Sequence, residues 1–164
     1  RCMRWNAQSS KYVCMSDCIF CKIVGKEIPN HTVFEDDGTL AFLDIFPCAK
    51  GHTVVIPKAH AETIFDLGER EYDEFFIAVK KTMERIQGVL ASQGFTVGWN
   101  HGKAGGQAVP HVHVHVLPRY DGDGGGSMHS VVKNPGSMSV AEVAARLEAL
   151  PGWTLVASRR PETP

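Results

Sequence analysis

Hydrophobic and polar positions along the chain change their period several times, and each change predicts a different element. Short alternating or apolar runs predict three strands in quick succession, at residues 31–35, 39–44 and 52–57. An acidic turn that ends in glycine, at residues 36–38, separates the first two. These segments therefore predict an antiparallel meander.

A longer stretch with helical spacing follows the meander. From residue 69 to 93 apolar residues recur at three- and four-residue steps, which predicts one long amphipathic helix that ends at Gly94 and covers one face of the sheet. Two more strands are predicted at residues 95–100 and 111–117, joined by the glycine-rich loop HGKAGGQAVP.

Two shorter helices are indicated by their end signals. Asp17 can cap a turn through CIFCKIV that stops at Gly25. Ser139, with Glu142 three residues later, forms a capping box and predicts a helix that runs through Leu150. Together the elements predict an α+β fold with a five-stranded, mainly antiparallel sheet, one long helix and several short ones.

A chain of 164 residues is long enough for one domain with a real core and too short for two. Residues 1–14 show neither helical nor strand period, and we interpret them as an extension, either an artificial remnant or a native arm. We assign the domain itself to residues 15–120. Residues 121–164 then supply a glycine-rich loop, a short helix and a tail.

Charge and composition exclude several classes of partner. Lys plus Arg number 17 against 18 Asp plus Glu, which leaves no strong field to attract nucleic acid or an anionic membrane. No apolar run approaches the roughly 18 residues that cross a bilayer, and the first residues lack the pattern of a signal peptide. The five cysteines are odd in number and irregularly spaced, which favours a reducing compartment. We therefore expect a cytoplasmic protein.

The segment HVHVHVLPR carries the strongest chemical signal. In a strand His111, His113 and His115 would share one face and the intervening valines the other, so the valines would enter the core while the histidines line a cleft. The outer two histidines would stand about 13 Å apart. Because zinc–imidazole bonds are only about 2.0 to 2.1 Å long, one ion cannot readily collect all three.

Alternating histidines could also be a solvated sheet face or a pair of ordinary metal ligands. Their position directly after a glycine-rich loop favours chemistry, because backbone N–H groups around Gly105, Gly106 and Gln107 can approach an anion closely. Neutral imidazole is a good nucleophile near pH 7 and a good leaving group afterwards, as double displacement at phosphorus requires. Taken alone, the loop could equally be a flexible hairpin connection.

Cys18 and Cys21 form a C-x-x-C pair, which suits tetrahedral zinc. A buried pair of thiols, a redox switch and a reversible disulfide remain alternatives for the cysteines alone.

Three segments resemble the histidine triad family of nucleotide hydrolases and transferases. They are HVHVHVLPR, FLDIFPCAKGHTVVIPKAH and NHGKAGGQAVPH, and the resemblance spans roughly residues 15–120 in order. It implies a HIT-like fold and a homodimer whose sheets join edge to edge, which would protect an exposed strand edge.

The resemblance also implies roles for individual residues. His113 would be the nucleophile that attacks the α-phosphate, His115 would touch the same phosphate, and His52 would orient or polarise the cluster. Asp44 would accept hydrogen bonds from ribose hydroxyls. The base pocket would be walled by Ile19, Phe20, Ile23, Phe42 and Ile45, and the phosphate and leaving-group side would be formed by Asn100, Gly106, Gln107 and Ala108.

In the bacterial zinc-containing branch of the family, two histidines complete the C-x-x-C pair. The corresponding residues here are His60 and His111, so the resemblance implies a structural Zn²⁺ held by Cys18, Cys21, His60 and His111. Such a site would leave the other two triad histidines to catalysis.

The implied activity is hydrolysis or transfer at the α-phosphate of a purine nucleoside phosphoramidate or dinucleoside polyphosphate, through a nucleotidyl-histidine. One departure is Ala108, since nucleotide-releasing members usually have Ser or Thr after the glutamine. Because this hydroxyl is missing, a nucleotide-binding adaptor with slow turnover is an alternative function. A metallohydrolase with catalytic zinc on two strand histidines is the third alternative.

Overall fold

The computed structural model describes residues 17–150, and the chain divides into two units between Gly125 and Gly126. The first unit contains the sheet and the second contains a short helix. The extension at residues 1–14 and the tail beyond residue 150 lie outside the described residues.

Five antiparallel strands form one sheet in the order β1-β2-β3-β5-β4. The strands are β1 Thr32–Glu35, β2 Thr39–Leu43, β3 Thr53–Pro57, β4 Gly94–Gly98 and β5 Val114–Arg119. The predicted α+β class and five-stranded antiparallel sheet are therefore confirmed.

Among residues 17–150 the α-helices are α1 Ile19–Val24 and α2 Glu69–Leu90 in the first unit and α3 Val140–Glu148 in the second. Short 3-10 turns lie at Ile64–Asp66, Lys103–Gly105 and Met128–Ser130. The capping box at the start of α3 is confirmed, because the Glu142 amide donates to Ser139 Oγ at 3.3 Å and Glu142 Oε2 accepts from the Ser139 amide at 2.7 Å.

Three helix ends differ from the predictions. The N-cap of α1 is Cys18 and not Asp17, and no side chain caps this end. The long helix α2 stops at Leu90, where Ala91 adopts a left-handed φ of 51° and its amide bonds back to the Gln87 carbonyl. Gly94 therefore begins β4 and does not end the helix. Helix α3 also ends short of the predicted position, with its C-cap at Ala149.

The predicted fifth strand was placed too early. Strand β5 begins at Val114, so His111 and His113 precede it. The reason is tertiary, because the Val112 amide donates to the carbonyl of Ala61, in a loop, at 2.7 Å.

The two faces of the sheet carry separate hydrophobic clusters. The cluster on the α2 side comprises Ala41, Val55, Phe75, Val79, Ile86, Val114 and Val116. The other comprises Ile23, Leu40, Phe42, Val54 and Ile56, with Phe20 and Val24 of α1 packed against it. Residues directly opposite in an antiparallel pair share a face, and His115 lies opposite Val54. The catalytic candidate His115 is therefore on the α1 side.

Among residues 17–150, no helix is both long enough and apolar enough to pass through a lipid bilayer.

Candidate functional site

The residues selected from the sequence gather into two neighbouring clusters beside α1. One joins Asp44, His52, His113 and His115, and the other joins Cys18, Cys21, His60 and His111. The rings of His113 and His115 lie 5.1 Å apart between centroids, which is within reach of one phosphate group.

The protonation pattern of His113 is set by the backbone. Its Nδ1 lies 2.7 Å from the carbonyl oxygen of His111. A carbonyl oxygen can only accept, so Nδ1 carries the hydrogen and, in the neutral ring, Nε2 carries the lone pair. The ring also packs edge-on against Phe20, with centroids 5.1 Å apart. These contacts fix the orientation of the ring and, in its neutral form, place the lone pair on Nε2.

A chain of hydrogen bonds fixes the neighbouring ring, that of His115, in the other tautomer. The Cys48 amide donates to His52 Nδ1 at 3.4 Å, so His52 Nε2 carries the hydrogen. His52 Nε2 lies 2.9 Å from His115 Nδ1 and donates to it. His115 is left with a hydrogen on Nε2. The cluster therefore combines a lone pair on His113 with a hydrogen-bond donor on His115.

Burial keeps the supporting imidazoles neutral. It lowers the pKa of His115 to about 4; the charges of His113 and His52 act in the same direction and Asp44 opposes them. Burial also lowers the pKa of His52, again against Asp44. At neutral pH these rings orient and donate hydrogen bonds without carrying a full positive charge.

Asp44 stands at the edge of this cluster. Its Oδ1 accepts from the Phe46 amide at 2.8 Å, and its Oδ2 lies 3.6 Å from His52 Nε2. The Asp44 amide also donates to the His52 carbonyl at 3.0 Å, across the β2–β3 connection. The carboxylate is therefore held beside the histidines by both backbone and side chain.

The glycine-rich loop is braced by Gln107. Its Nε2 donates to the carbonyls of Glu62 at 2.7 Å and Val109 at 3.0 Å, while its Oε1 accepts from the Gly102 amide at 2.8 Å. We expected Gln107 to hold a phosphate, but both hydrogens of its amide are engaged with the backbone. Its role in this geometry is to shape the loop.

The backbone N–H groups of Gly105, Gly106 and Gln107, which we expected to approach an anion, donate instead to the carbonyls of Gly102 and Lys103 at 3.1 Å. Gly106 adopts a φ of +87°, which favours glycine. Asn100 Nδ2 lies 3.5 Å from the carbonyl oxygen of Gly106. Ala108 is exposed.

The five residues expected to wall a base pocket divide into two groups. Ile23 and Phe42 are buried in the α1-side core, and Phe20 packs edge-on against Phe42 with centroids 6.0 Å apart. Ile19 and Ile45 are 44% and 78% exposed. Only the exposed pair and the partly buried Phe20 offer accessible apolar surface.

The second cluster has the dimensions of a tetrahedral zinc site. Zn–S bonds of about 2.3 Å and Zn–N bonds of about 2.0 to 2.1 Å place sulfur and nitrogen ligands about 3.5 Å apart. Cys18 Sγ lies 3.5 Å from His111 Nδ1, and Cys21 Sγ lies 3.3 Å from His60 Nδ1 and 3.7 Å from His111 Nδ1. The donor set therefore fits Zn²⁺ in both chemistry and size.

His111 is also prepared as a ligand by its other nitrogen. Its Nε2 donates to the Pro57 carbonyl at 2.9 Å, which leaves the lone pair on Nδ1, facing the two thiols. Full burial of this side chain lowers its pKa to about 4, although the bond to Pro57 opposes the shift. A neutral imidazole with a carbonyl behind it is the usual form of a zinc-binding histidine.

Three backbone partners at the site were missed by the sequence interpretation: the carbonyls of Pro57 and His111 and the amide of Cys48. Every residue carries the same backbone groups, so no sequence signal distinguishes the two carbonyls. Cys48 was not among the candidate site residues, although its position four residues before His52 could have indicated a contact.

The chain therefore forms an α+β domain in which the rings of His113 and His115 lie in contact as different tautomers, a few residues after a glycine-rich loop. The model of the HIT domain matches residues 25–122. A HIT-like protein of Methanocaldococcus jannaschii is 47% identical over 117 residues, covering 71% of this chain and 90% of that protein. The chain belongs to the HIT (histidine triad) domain family.

Two further relatives extend the comparison. The adenosine 5'-monophosphoramidase of Saccharomyces cerevisiae is 38% identical over 104 residues, or 63% of either chain. The crystal structure of a HIT family member from Bacillus subtilis superposes with a TM-score of 0.70 at 35% identity, covering 82% of this chain and 98% of that one. The predicted family and fold are confirmed.

Proposed function

We propose that this protein hydrolyses purine nucleotide conjugates at the α-phosphate, with His113 Nε2 as the nucleophile. The observation that carries the proposal is the 2.7 Å hydrogen bond from His113 Nδ1 to the His111 carbonyl. It leaves the lone pair of the neutral ring on the opposite nitrogen, Nε2, in a ring whose centroid lies 5.1 Å from that of His115.

The reaction would proceed in two displacements. His113 Nε2 forms a bond to the α-phosphorus while the bond from phosphorus to the leaving nitrogen or oxygen breaks, and the leaving group takes up a proton. Water then attacks the nucleotidyl-histidine, the phosphorus–nitrogen bond breaks, and a nucleoside monophosphate is released. The water gives up one proton, which balances the proton taken by the leaving group.

The other members of the cluster would act by hydrogen bonding. His115 Nε2–H would donate to a phosphoryl oxygen as negative charge develops there. His52 would keep His115 in the donating tautomer through their 2.9 Å contact. His52 is thus a positioning residue, because it acts on the phosphate through His115.

The relative named adenosine 5'-monophosphoramidase supports a phosphoramidate of a purine nucleotide as substrate. Asp44 would bind ribose hydroxyls, and Phe20, Ile19 and Ile45 would contact the base. Asn100 and Ala108 would face the leaving group. A dinucleoside polyphosphate would be cleaved by the same displacement.

Cys18, Cys21, His60 and His111 would hold a structural Zn²⁺. When bound, the ion would join α1 to the loop before β5 and supply about 10 kcal/mol or more to folding. Four protein ligands close the coordination sphere, so this ion would have no open position for water. The same thiols would need a reducing compartment, in accord with the cytoplasm.

We also propose that the protein forms a homodimer with its sheets joined edge to edge. Within the described sheet, β1 and β4 are the edge strands, and edge strands are generally protected by pairing or cover. Sedimentation equilibrium would test this: a dimer mass is expected, and a monomer at micromolar concentration would contradict it.

A nucleotide-binding adaptor with slow turnover is favoured by one observation, the methyl group of the exposed Ala108 where a hydroxyl could assist the leaving group. A multiple-turnover assay with an adenylated amine separates the two functions. Ala108→Ser should raise kcat several-fold in a hydrolase that lacks only this assistance, and Ala104→Ser in the same loop is the control. An adaptor would turn over slowly in all three proteins, without a rise of kcat in Ala108→Ser.

His113→Ala tests the proposed function directly. We expect hydrolysis of an adenosine phosphoramidate to fall by at least about a thousandfold, because the nucleophile is absent. Binding of AMP should persist. The exposed His31→Ala variant should keep full activity. An unchanged rate in His113→Ala would remove this residue from the mechanism.

A further inference from the structure

Asp44, His52 and His115 bring three metal-ligand atoms together outside the Cys–His cluster. His52 Nε2 lies 2.9 Å from His115 Nδ1 and 3.6 Å from Asp44 Oδ2, and all three ligand atoms lie within 4.8 Å of one another. Ligands at about 2.0 to 2.2 Å around one tetrahedral ion stand about 3.3 to 3.5 Å apart. Small side-chain shifts would therefore place all three around one divalent ion.

We propose that Asp44, His52 and His115 form a second, open binding site for divalent transition metals, and that an ion bound there excludes the nucleotide and stops hydrolysis. The inhibitory part rests on the proposed function; the binding part does not. Two imidazoles and one carboxylate are the donor set of many open zinc sites, and they also accept Co²⁺ and Ni²⁺.

Two of the three proposed ligands have a neighbouring group that orients them. Asp44 Oδ1 accepts from the Phe46 amide, which leaves Oδ2 directed at the histidines. Cys48 Sγ lies 3.6 Å from His52 Nδ1 and can accept the hydrogen that this nitrogen carries once a metal occupies Nε2. Such partners fix the orientation and protonation state of metal ligands.

One contact opposes metal binding and limits its strength. The Cys48 amide donates to His52 Nδ1 at 3.4 Å, and this attraction is lost when Nδ1 becomes protonated. With three ligands and this rearrangement, the site should bind more weakly than the four-ligand Cys–His cluster. It would be filled only when metal is in excess.

The same three residues are needed by the substrate, so metal and nucleotide should exclude each other. A metal held by His52 Nε2 and His115 Nδ1 would widen their 2.9 Å contact to about 3.3 Å and so displace the His115 ring that is proposed to donate to the phosphate. A metal on Asp44 occupies the carboxylate proposed to bind the ribose. By thermodynamic reciprocity, nucleotide must weaken metal binding by the same factor by which metal weakens nucleotide binding.

Cobalt titration separates the two sites without any need for turnover. The Cys–His cluster is first filled with one equivalent of Zn²⁺, and Co²⁺ is then added. We expect a second equivalent to bind with the visible d–d bands of a nitrogen–oxygen site and no thiolate-to-cobalt charge-transfer band. AMP should displace this cobalt. No second equivalent, or a charge-transfer band alone, would overturn the proposal.

Variants assign the ligands. Asp44→Asn and His115→Asn should each weaken the second cobalt by at least about tenfold, while leaving the zinc content at one per chain. His31→Asn, an exposed histidine elsewhere in the chain, is the matched control and should bind both ions. Equal cobalt affinity in the wild type and all three variants would overturn the assignment.

A rate measurement completes the test. Hydrolysis by the wild-type protein should fall in proportion to occupancy of the second site and recover when a mild chelator removes that ion but not the zinc. Turnover that rises with occupancy would overturn the inhibitory role and favour metal-assisted hydrolysis. A protein that hydrolyses normally but binds one ion would refute this inference alone. A protein that binds the second ion and shows no hydrolysis even after that ion has been removed would refute the proposed function alone.

Discussion

His111 and His113 are linked by a 2.7 Å hydrogen bond from the side chain of the second to the backbone carbonyl of the first. The side chain of His111 faces the two thiols, while its carbonyl orients the ring of His113. His111 thereby belongs to the proposed metal cluster and also supports the ring of the proposed nucleophile. Disturbance of the metal cluster should consequently be felt at His113.

The first prediction concerns the zinc cluster. Cys18→Ser should lower the zinc content from one per chain to well below one and reduce the free energy of unfolding by several kcal/mol, because one of four ligands is lost. Metal analysis by mass spectrometry and denaturant unfolding would measure both. Cys48→Ser removes a thiol outside the cluster and should retain the zinc. Full stability of a metal-free Cys18→Ser protein would contradict the assignment.

The second prediction separates positioning from binding. His52→Asn should lower kcat by about ten- to a hundredfold and change KM by no more than about twofold, because His115 loses the donor that fixes its tautomer. Steady-state kinetics with an adenosine phosphoramidate would measure this, with His31→Asn as the control. A large rise in KM at unchanged kcat would show that His52 binds substrate and does not act through His115.

The third prediction is a loss of stability in acid. Burial lowers the pKa of His115 from 6.5 to about 4, so between these values the unfolded chain binds a proton that the folded chain excludes. Stability should therefore fall as the pH drops from about 6.5 toward 4, and the contribution of this residue should level off below that. Above 6.5 both states are neutral and the effect vanishes.

Denaturant unfolding at pH 7 and pH 5 would test this linkage. His115→Asn should lose about 1 kcal/mol less than the wild type between the two pH values. The Cys–His cluster is the same in both proteins, so its own titration cancels in the difference. Identical losses would show that His115 is not the residue responsible.

The fourth prediction tests the brace at Gln107. Gln107→Glu would remove two donated hydrogen bonds and set a carboxylate against the carbonyls of Glu62 and Val109. We expect a loss of about 1 to 3 kcal/mol in stability and faster amide exchange in residues 102–109. Ala104→Glu adds the same charge to the same loop and should leave both unchanged. Unaltered stability with weaker AMP binding would instead indicate a direct phosphate contact.

Local patterns predicted much of the fold, because the chemistry that formed them is local. The capping box at Ser139 and the helical period of α2 depend only on residues a few positions apart. The start of β5 does not. The hydrogen bond from Val112 to Ala61 draws the chain away from the sheet, and such a distant backbone partner leaves no pattern in the sequence.

The same distinction between local patterns and distant contacts applies to the candidate site. Side chains with distinctive chemistry, such as Cys18 and His113, could be selected from spacing and from resemblance to the family. Their orientation could not, since it depends on the backbone carbonyls of Pro57 and His111. Gln107 shows the limit most clearly, because the resemblance to the family implied a phosphate contact and its side chain instead hydrogen-bonds to the backbone of its own loop and of Glu62.

The most direct test of the central claim is to trap the intermediate. The protein would be mixed with excess adenosine phosphoramidate, quenched within one turnover and digested, and the peptides analysed by mass spectrometry. We predict that adenylate is attached to His113 in the wild type, and that no peptide of His113→Ala carries it. Adenylate on another residue, or turnover without any adenylated peptide at several quench times, would contradict the account.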